Sequence, residues 1–370
     1  MKKKIILFLT VLFLFSPVAS RAATNQQALD QQDAFFRAEV VEVLEEREAE
    51  LPSGRTTAQQ NLKLRGLEGE YQGKEVVFKG IREFEVVASQ TYAPGDKVLV
   101  AVSQDSGGEE HFYVVGPART SSLWLLVGLF ILIILAAVRW KGLRSLISLG
   151  ITLVIIVAYI IPRIVAGSNP VVITLIGSFL ALLAIIYITE GWKPKSHLAV
   201  GSIFLSLLFT LLLSWGFIEL AQLTGITGEE TGLLLGSMQA GINFQGLLLA
   251  GIVIGSLGVL DDMVISQIAA TEEIYKANNY LTRPKLFKKA YRVGSSHISS
   301  MVNTLFLAYA GASLPLLILF TSDQGPFSSW LHVVNTEAIA TEIVRTLCGS
   351  IGLILAVPLA TFLAVWYYKR

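Results

Sequence analysis

Residues 246–274 read GLLLAGIVIGSLGVLDDMVISQIAATEEI, and after a basic turn residues 297–320 read HISSMVNTLFLAYAGASLPLLILF. The first stretch is apolar enough to sit in lipid, yet it carries Asp261 and Asp262. A carboxylate at that depth is costly unless it faces protein or water, so it marks a functional candidate. At about 100° per residue, Gly251, Gly255, Gly258, Asp262, Ser266 and Ala269 fall on one helical face, with Asp262 its only charge. Small residues on such a face allow another helix to approach closely. Asp261 points about 100° away from it.

Working outward, the composition agrees with a chain folded in a membrane. Hydrophobic residues make up 53% and charged residues 15% of the 370 residues, against about 25% charged in an ordinary soluble domain. The apolar surplus is concentrated in long runs, as lipid burial requires. A single cysteine, Cys348, excludes an internal disulfide framework and reads as a small packing residue.

Residues 1–22 read as a signal peptide: Lys2, Lys3 and Lys4, the apolar core IILFLTVLFLF, a break at Pro17, and small residues Ser20 and Ala22 before a cut. Residues 24–120 form an extracytoplasmic domain with 17 acidic and 10 basic side chains, a net charge of −7. RAEVVEVL, NLKLRGL, KEVVFK, KVLVAVS and EHFYVV alternate like strands, with Pro94-Gly95-Asp96 a turn between them. They predict a small antiparallel barrel of about five strands, OB-like in size. Glu42–Glu50 reads either as a short helix or as a charged edge strand.

From Ser121 the chain becomes an α-helical polytopic membrane domain, residues 121–370. Apolar spans are expected near 122–138, 145–162, 171–189, 198–219, 246–268, 299–320 and 341–366, each close to the 17–25 residues that cross about 30 Å. With residue 120 outside, the inner loops and C-terminus collect 13 Lys and Arg, and the outer loops after 120 hold only Arg163. This is the positive-inside pattern of a multi-pass cell-membrane protein with an outer N-terminal domain and a cytoplasmic C-terminus. Residues 220–245 are interrupted by five glycines and predict a short re-entrant or interfacial helix near 230–240, or an ordinary outer loop.

Three sets of polar residues lie in or beside the last three spans. Asp262 and Ser266 form the first. His297, Asn303 and Thr304, near the inner start of the returning span, form the second, at a similar depth to Asp262. Glu342 and Arg345, one turn apart near the outer end of the last span, form an ion pair that lowers the cost of each charge. The first two sets read either as a substrate- or ion-binding site or as a structural hydrogen-bonded cluster, and the pair as a gate or a brace. No nucleotide, zinc or nucleophile-elbow signature is present, so no enzyme activity, catalytic residue or cofactor is expected, and a bound metal is left open. Gly258-Val259-Leu260-Asp261 loosely matches the loop of intramembrane aspartyl proteases, but the only other aspartate after residue 120, Asp323, falls in an outer loop. The basic run at 283–292 fits topology and lipid headgroups, not nucleic acid. The expected partners are therefore the lipid bilayer and an unidentified small solute or ion, and the small-residue faces allow a homo-oligomer.

GIVIGSLGVLDDMVISQIAA, VNTLFLAYAGASLPLL and EIVRTLCGSIGLILAVPLA resemble the YibE/F family of bacterial membrane proteins, and GEYQGKEVVF with GDKVLV is similar too. On that resemblance Asp262, Ser266, Asn303-Thr304, Glu342 and Arg345 match the family's motif positions. Gly294-Ser295-Ser296 and His297 stand where members often carry G-R-D, so an arginine–aspartate pair at the inner mouth is missing here. The resemblance implies a multi-spanning protein with an outer β-rich domain and supplies no settled substrate. Two functions follow: a transporter or permease of a small solute or ion, or a non-transporting scaffold or sensor whose outer domain binds a ligand or partner.

Overall fold

Alternation of apolar and polar residues builds the N-terminal strands, residues 34–117. In β1 (Ala34–Glu50) the side chains of Phe36, Ala38 and Val40 are buried, and in β4 (Lys97–Gln104) those of Val98, Val100 and Val102. The remaining strands are β2 (Thr56–Gly66), β3 (Glu75–Lys79) and β5 (Glu110–Pro117). The computed structural model describes residues 34–50, 56–81, 91–104, 108–237, 241–321 and 329–369. The signal-like residues 1–22 and Asp323 lie outside them.

The five strands form one antiparallel sheet in the order β3-β2-β1-β4-β5. β1 is long enough to serve two partners: Ala34–Glu39 pair with β4, and Ala38–Glu50 with β2. Register shifts between Val40 and Glu42 and between Val43 and Glu45 bend it, as bulges do. β3 and β5 approach each other across the open seam, giving a partly open five-stranded half-barrel. All five strands read from the sequence are present, and Glu42–Glu50 is strand. Phe36 stacks on Tyr71 at 4.5 Å, and Phe112 meets both edge-on, closing the core. Gln60 is buried and acts as a surrogate strand partner: it accepts from Tyr92 N at 2.8 Å and donates to Tyr92 O at 3.2 Å.

Arg37 and Glu68 form a bidentate pair at 3.0 and 2.6 Å, and Arg37 N–H also donates to Glu68. The Arg37 guanidinium holds the Glu68 carboxyl below the ordinary carboxylate range. A depressed folded pKa means the unfolded chain takes up the proton first. The stabilisation is therefore present above the unfolded glutamate pKa and fades as pH falls through the folded value. Hydrogen exchange of residues 34–81 in the full-length protein should accelerate on acidification below about pH 4.5, with a shallower pH dependence in Glu68→Gln. An unchanged slope in that variant would assign the acid sensitivity elsewhere.

The C-terminal half is helical: α1 (Thr120–Ile155), α2 (Ile161–Val165), α3 (Pro170–Thr189), α4 (Pro194–Leu220), α5 (Glu229–Ser237), α6 (Phe244–Ala277), α7 (Arg283–Ala312), α8 (Leu314–Thr321), α9 (Trp330–Asn335) and α10 (Glu337–Tyr368). Among the described residues, five helical segments are long and apolar enough to cross a membrane: Thr120–Val165, α3, α4, α6 and α10. That is the organisation of a multi-pass membrane protein. Asn169 caps α3 by accepting from Val171 and Val172, and Asn243 caps α6 by accepting from Gly246.

Two expected spans differ in detail. Residues 122–138 and 145–162 run on as one helical segment, broken at Arg139 (φ 51°, ψ −127°) and continued through a π-helical turn at Ile156–Ile160. A Cβ on Gly142 would meet the carbonyl oxygen of Ile134 at 2.7 Å. Eight residues of straight helix would separate the two by about 12 Å, so the chain doubles back at Arg139. The span expected at 299–320 instead begins at Arg283 and breaks at Ser313. Pro315 is the cause: it has no N–H to donate into the preceding turn, and it sits comfortably only in the first turn of a new helix. Pro358, by contrast, lies inside an unbroken α10.

The chain divides into two units between Ile133 and Ile134. In the helical unit α6 is the hub, packed against α3, α4, α7 and α10.

Candidate functional site

The polar interior is built around α6. Between its neighbours the helix buries Leu257, Leu260, Val264 and Ile268, and Asp261 is buried with them at 9% exposure. Asp262 is exposed, as are Gly251, Gly258 and Ser266 on the same face. One residue of rotation, about 100°, therefore separates a carboxylate inside the helix bundle from one on its open side. Asp262 N–H donates to Asp261 Oδ1 at 2.8 Å, and among the described residues no cationic side chain meets either carboxylate.

Two crossings fix the level of α7 against α6. A Cβ on Gly255 would touch Tyr309 Oη at 3.0 Å, and Gln267 Nε2 donates to Ala290 O at 3.0 Å. The helices are antiparallel, and interpolation between these two crossings puts Asp262 level with Ile298, next to His297. Depth therefore agrees with the sequence reading. Orientation is another matter: His297, Asn303 and Thr304 are all exposed, and Thr304 Oγ1 donates to Ser300 O of its own helix. Among the described residues no hydrogen bond or ion pair joins them to Asp262 or Ser266.

The Glu342–Arg345 pair is formed, with Arg345 Nη1 donating to Glu342 Oε1 at 2.8 Å and each side chain about a quarter exposed. Tyr309 lies within electrostatic reach of both members. Gly255, Tyr309, Glu342 and Arg345 thus gather α6, α7 and α10 at one level, on the N-terminal side of the aspartates in α6.

Four features were not singled out by sequence patterns. Glu337, at the start of α10, accepts from Thr224 N at 2.6 Å, Thr224 Oγ1 at 2.8 Å and Gly225 N at 2.7 Å, tethering the loop after α4. Gln267 is 1% exposed and donates to Ala290 O and to Thr361 Oγ1 at 2.6 Å, knotting α6, α7 and α10. Glu190 and Lys195 are ion-paired across the turn between α3 and α4, with each side chain about a quarter exposed. Ser202, Ser206 and Thr210 form a buried hydroxyl stripe on α4, each donating to the carbonyl one turn back. That back-bonding satisfies the hydroxyls locally and leaves helix packing close. The signals for these features were weak: single Glu and Gln residues within or next to apolar runs, and a serine period of four.

Arg283 Nη2 donates to Lys369 O at 2.8 Å, holding the N-terminal start of α7 to the C-terminal end of α10. Among the described residues no cluster of three His, Cys, Asp or Glu side chains is arranged to hold a metal ion.

Residues 126–370 match the family model described as YibE/F-like protein. No curated protein and no solved structure gives a match. With two thirds of its length matched, including α6, α7 and α10 and the residues described above, the chain belongs to the YibE/F-like family.

Proposed function

We propose that the chain is a membrane permease for a small solute or ion. The observation that carries this reading is the pair Asp261–Asp262 in the middle of α6, the helix on which α3, α4, α7 and α10 pack. An intramembrane carboxylate without a cationic neighbour is expensive to keep and marks solute or proton pathways. Asp262 binds a cation or shuttles a proton from the open face of α6. Asn303 and Thr304 contribute neutral oxygens once α7 rolls against α6, or when a second copy presents its own α7. Tyr309, Glu342 and Arg345 stand where such a movement is opened or blocked.

In this reading there are seven spans, counting the two arms of the helical segment broken at Arg139 and counting α7. The half-barrel lies outside and Lys369 inside. Cysteine labelling of intact cells checks this in a Cys348→Ala background. Lys97→Cys, on an exposed site of the half-barrel, should react from outside, and Lys288→Cys, exposed on α7, should react only after permeabilisation. The reverse pattern overturns the orientation.

The transport reading is tested by Asp262→Asn, which keeps the shape and removes the charge. The variant should insert and purify like wild type, yet leave the metabolite and metal content of a deletion strain at the uncomplemented level. Full restoration of every deletion phenotype would make Asp262 a structural residue. A scaffold or sensor function is favoured by one observation, the separate core of the half-barrel. Deleting residues 24–120 behind the leader separates the two: a scaffold loses all function, while a permease retains residual flux.

A further inference from the structure

We propose that Asp261, distinct from the exposed Asp262, is a reversible proton-binding site on the seam between α3 and α6. This deepens the permease reading by assigning the ligand of one of its two carboxyl groups.

The argument starts from burial. Asp261 is 9% exposed, and among the described residues the one hydrogen bond to its side chain from another residue is that of the Asp262 N–H. On the same face of α6, Leu257 and Gly258 lie one turn before it and Ile265 one turn after. Leu257 and Gly258 help to line a cavity of about 90 Å³ between α6, α3 and the π-helical turn. Ser178 Oγ, also on its lining, is buried without a hydrogen-bond partner among the described residues, and Thr152 adds a second hydroxyl. A cavity of that size with polar groups on its wall has room for water. On the other side, Ile265 and Ile268 border a smaller pocket with Glu190, Lys195 and Ser196 at the ends of α3 and α4. Asp261 therefore stands between a cavity that can hold water and a charged helix end.

The ligand follows from what surrounds the carboxylate. A metal cation needs several oxygens; calcium takes about 6–8. The residues one turn to either side of Asp261 offer only aliphatic side chains or glycine. A proton needs one oxygen. The charged and titratable groups on the packed elements are few. On α6 itself Asp262 is turned to the open face. At the ends of α3 and α4, Glu190 and Lys195 are paired with each other, and the Tyr187 hydroxyl is hydrogen-bonded to His197 Nδ1 at 2.7 Å. At the π-helical turn and α2, Arg163 sits 4.7 Å over the Tyr159 ring. Helices α7 and α10, with Tyr309, Glu342 and Arg345, pack on other sides of α6. No side chain among them neutralises Asp261, so the charge on the carboxylate is removed by a proton. The step is a simple transfer: a proton passes from water to a carboxylate oxygen of Asp261 and back, with no other bond made or broken.

The test is infrared difference spectroscopy of the full-length protein in lipid nanodiscs, over roughly pH 5–9, a range in which buried carboxyls titrate. Wild type should show a carboxylic-acid carbonyl band whose intensity changes with pH and which shifts in heavy water. The band should survive in Asp262→Asn, move in frequency in Asp261→Glu and vanish in Asp261→Asn. Absence of a band in wild type, a band indifferent to pH, or its persistence in Asp261→Asn each overturns the proposal. The wild-type and Asp261→Glu spectra decide the matter even if Asp261→Asn fails to fold. Because the measurement needs no transport, a band assigned to Asp261 alongside full complementation by Asp262→Asn would keep the proton site and remove the permease reading. Loss of complementation without the band would do the reverse.

Discussion

Gly225→Ala should lower the stability of the helical unit by roughly 3–5 kcal/mol, seen as a marked fall in the thermal unfolding midpoint of the purified protein. Three costs act at one residue. Gly225 has φ +83°, a left-handed conformation that costs an L-residue about 1–2 kcal/mol. A Cβ there would overlap the carbonyl oxygen of Phe244 and stand 2.6 Å from its carbonyl carbon. Those are backbone atoms at the first turn of α6, so no rotamer change relieves the overlap. The loop must then move, and Gly225 N–H loses the Glu337 carboxylate at 2.7 Å, a bond to a charged group of about 1.5–3 kcal/mol. Gly232→Ala is the control. Its added methyl meets nothing within 4 Å in α5, so it should be neutral or gain up to about 1 kcal/mol from helix propensity. Equal behaviour of the two variants would show that the Glu337 tether contributes nothing to the fold.

Gly352→Ala should cost about 2–3 kcal/mol, within the usual range for forcing an extra carbon into a packed interior. Here α10 and α4 lie in direct contact. A Cβ at 352 would overlap Thr210 Oγ1 and stand 3.1 Å from Thr210 Cβ. Thr210 is fully buried and its hydroxyl is held to Ser206 O at 2.9 Å, so rotation only exchanges the hydroxyl for its methyl. The prediction carries its own rescue. Thr210→Ala removes Oγ1 and Cγ2 and leaves only the Cβ at 3.1 Å, and the double variant should recover about 1 kcal/mol or more relative to additivity, the range of a true contact pair. Strict additivity would place the damage of Gly352→Ala elsewhere in the helix.

Both predictions concern helix approach, and helix approach is where the sequence was least explicit. Glycines were read along one face of α6, as a stripe through Gly251, Gly255 and Gly258. Close approaches that leave no room for a Cβ include instead Gly225, against the Phe244 backbone, Gly352, against the Thr210 side chain, and Gly294, where a Cβ would come within 2.5 Å of Gln267 Oε1 and Val357 Cγ1. On the α6 stripe, Gly251 and Gly258 would meet nothing within 4 Å. A glycine periodicity shows that a face is small, but not whether a neighbour uses it.

The five strands, the apolar helices and their order were legible in residues 34–369 because each depends on local periodicity. Alternation places Phe36, Ala38 and Val40 on one side of β1 whatever that side meets, and a long apolar run must be buried or sit in lipid. Pairing Glu342 with Arg345 needed only a helix and a spacing of three. Tertiary structure decided the rest. The doubling back at Arg139 depends on which atoms of Ile134 and Gly142 can touch. Which of two adjacent aspartates enters the bundle depends on the rotation of α6 among four neighbours. The Glu337 tether joins residues 112 and 113 positions apart in the chain. Periodicity along one helix assigns residues to faces; which face is inside is set by the packing of other helices against it, and no local pattern contains that information.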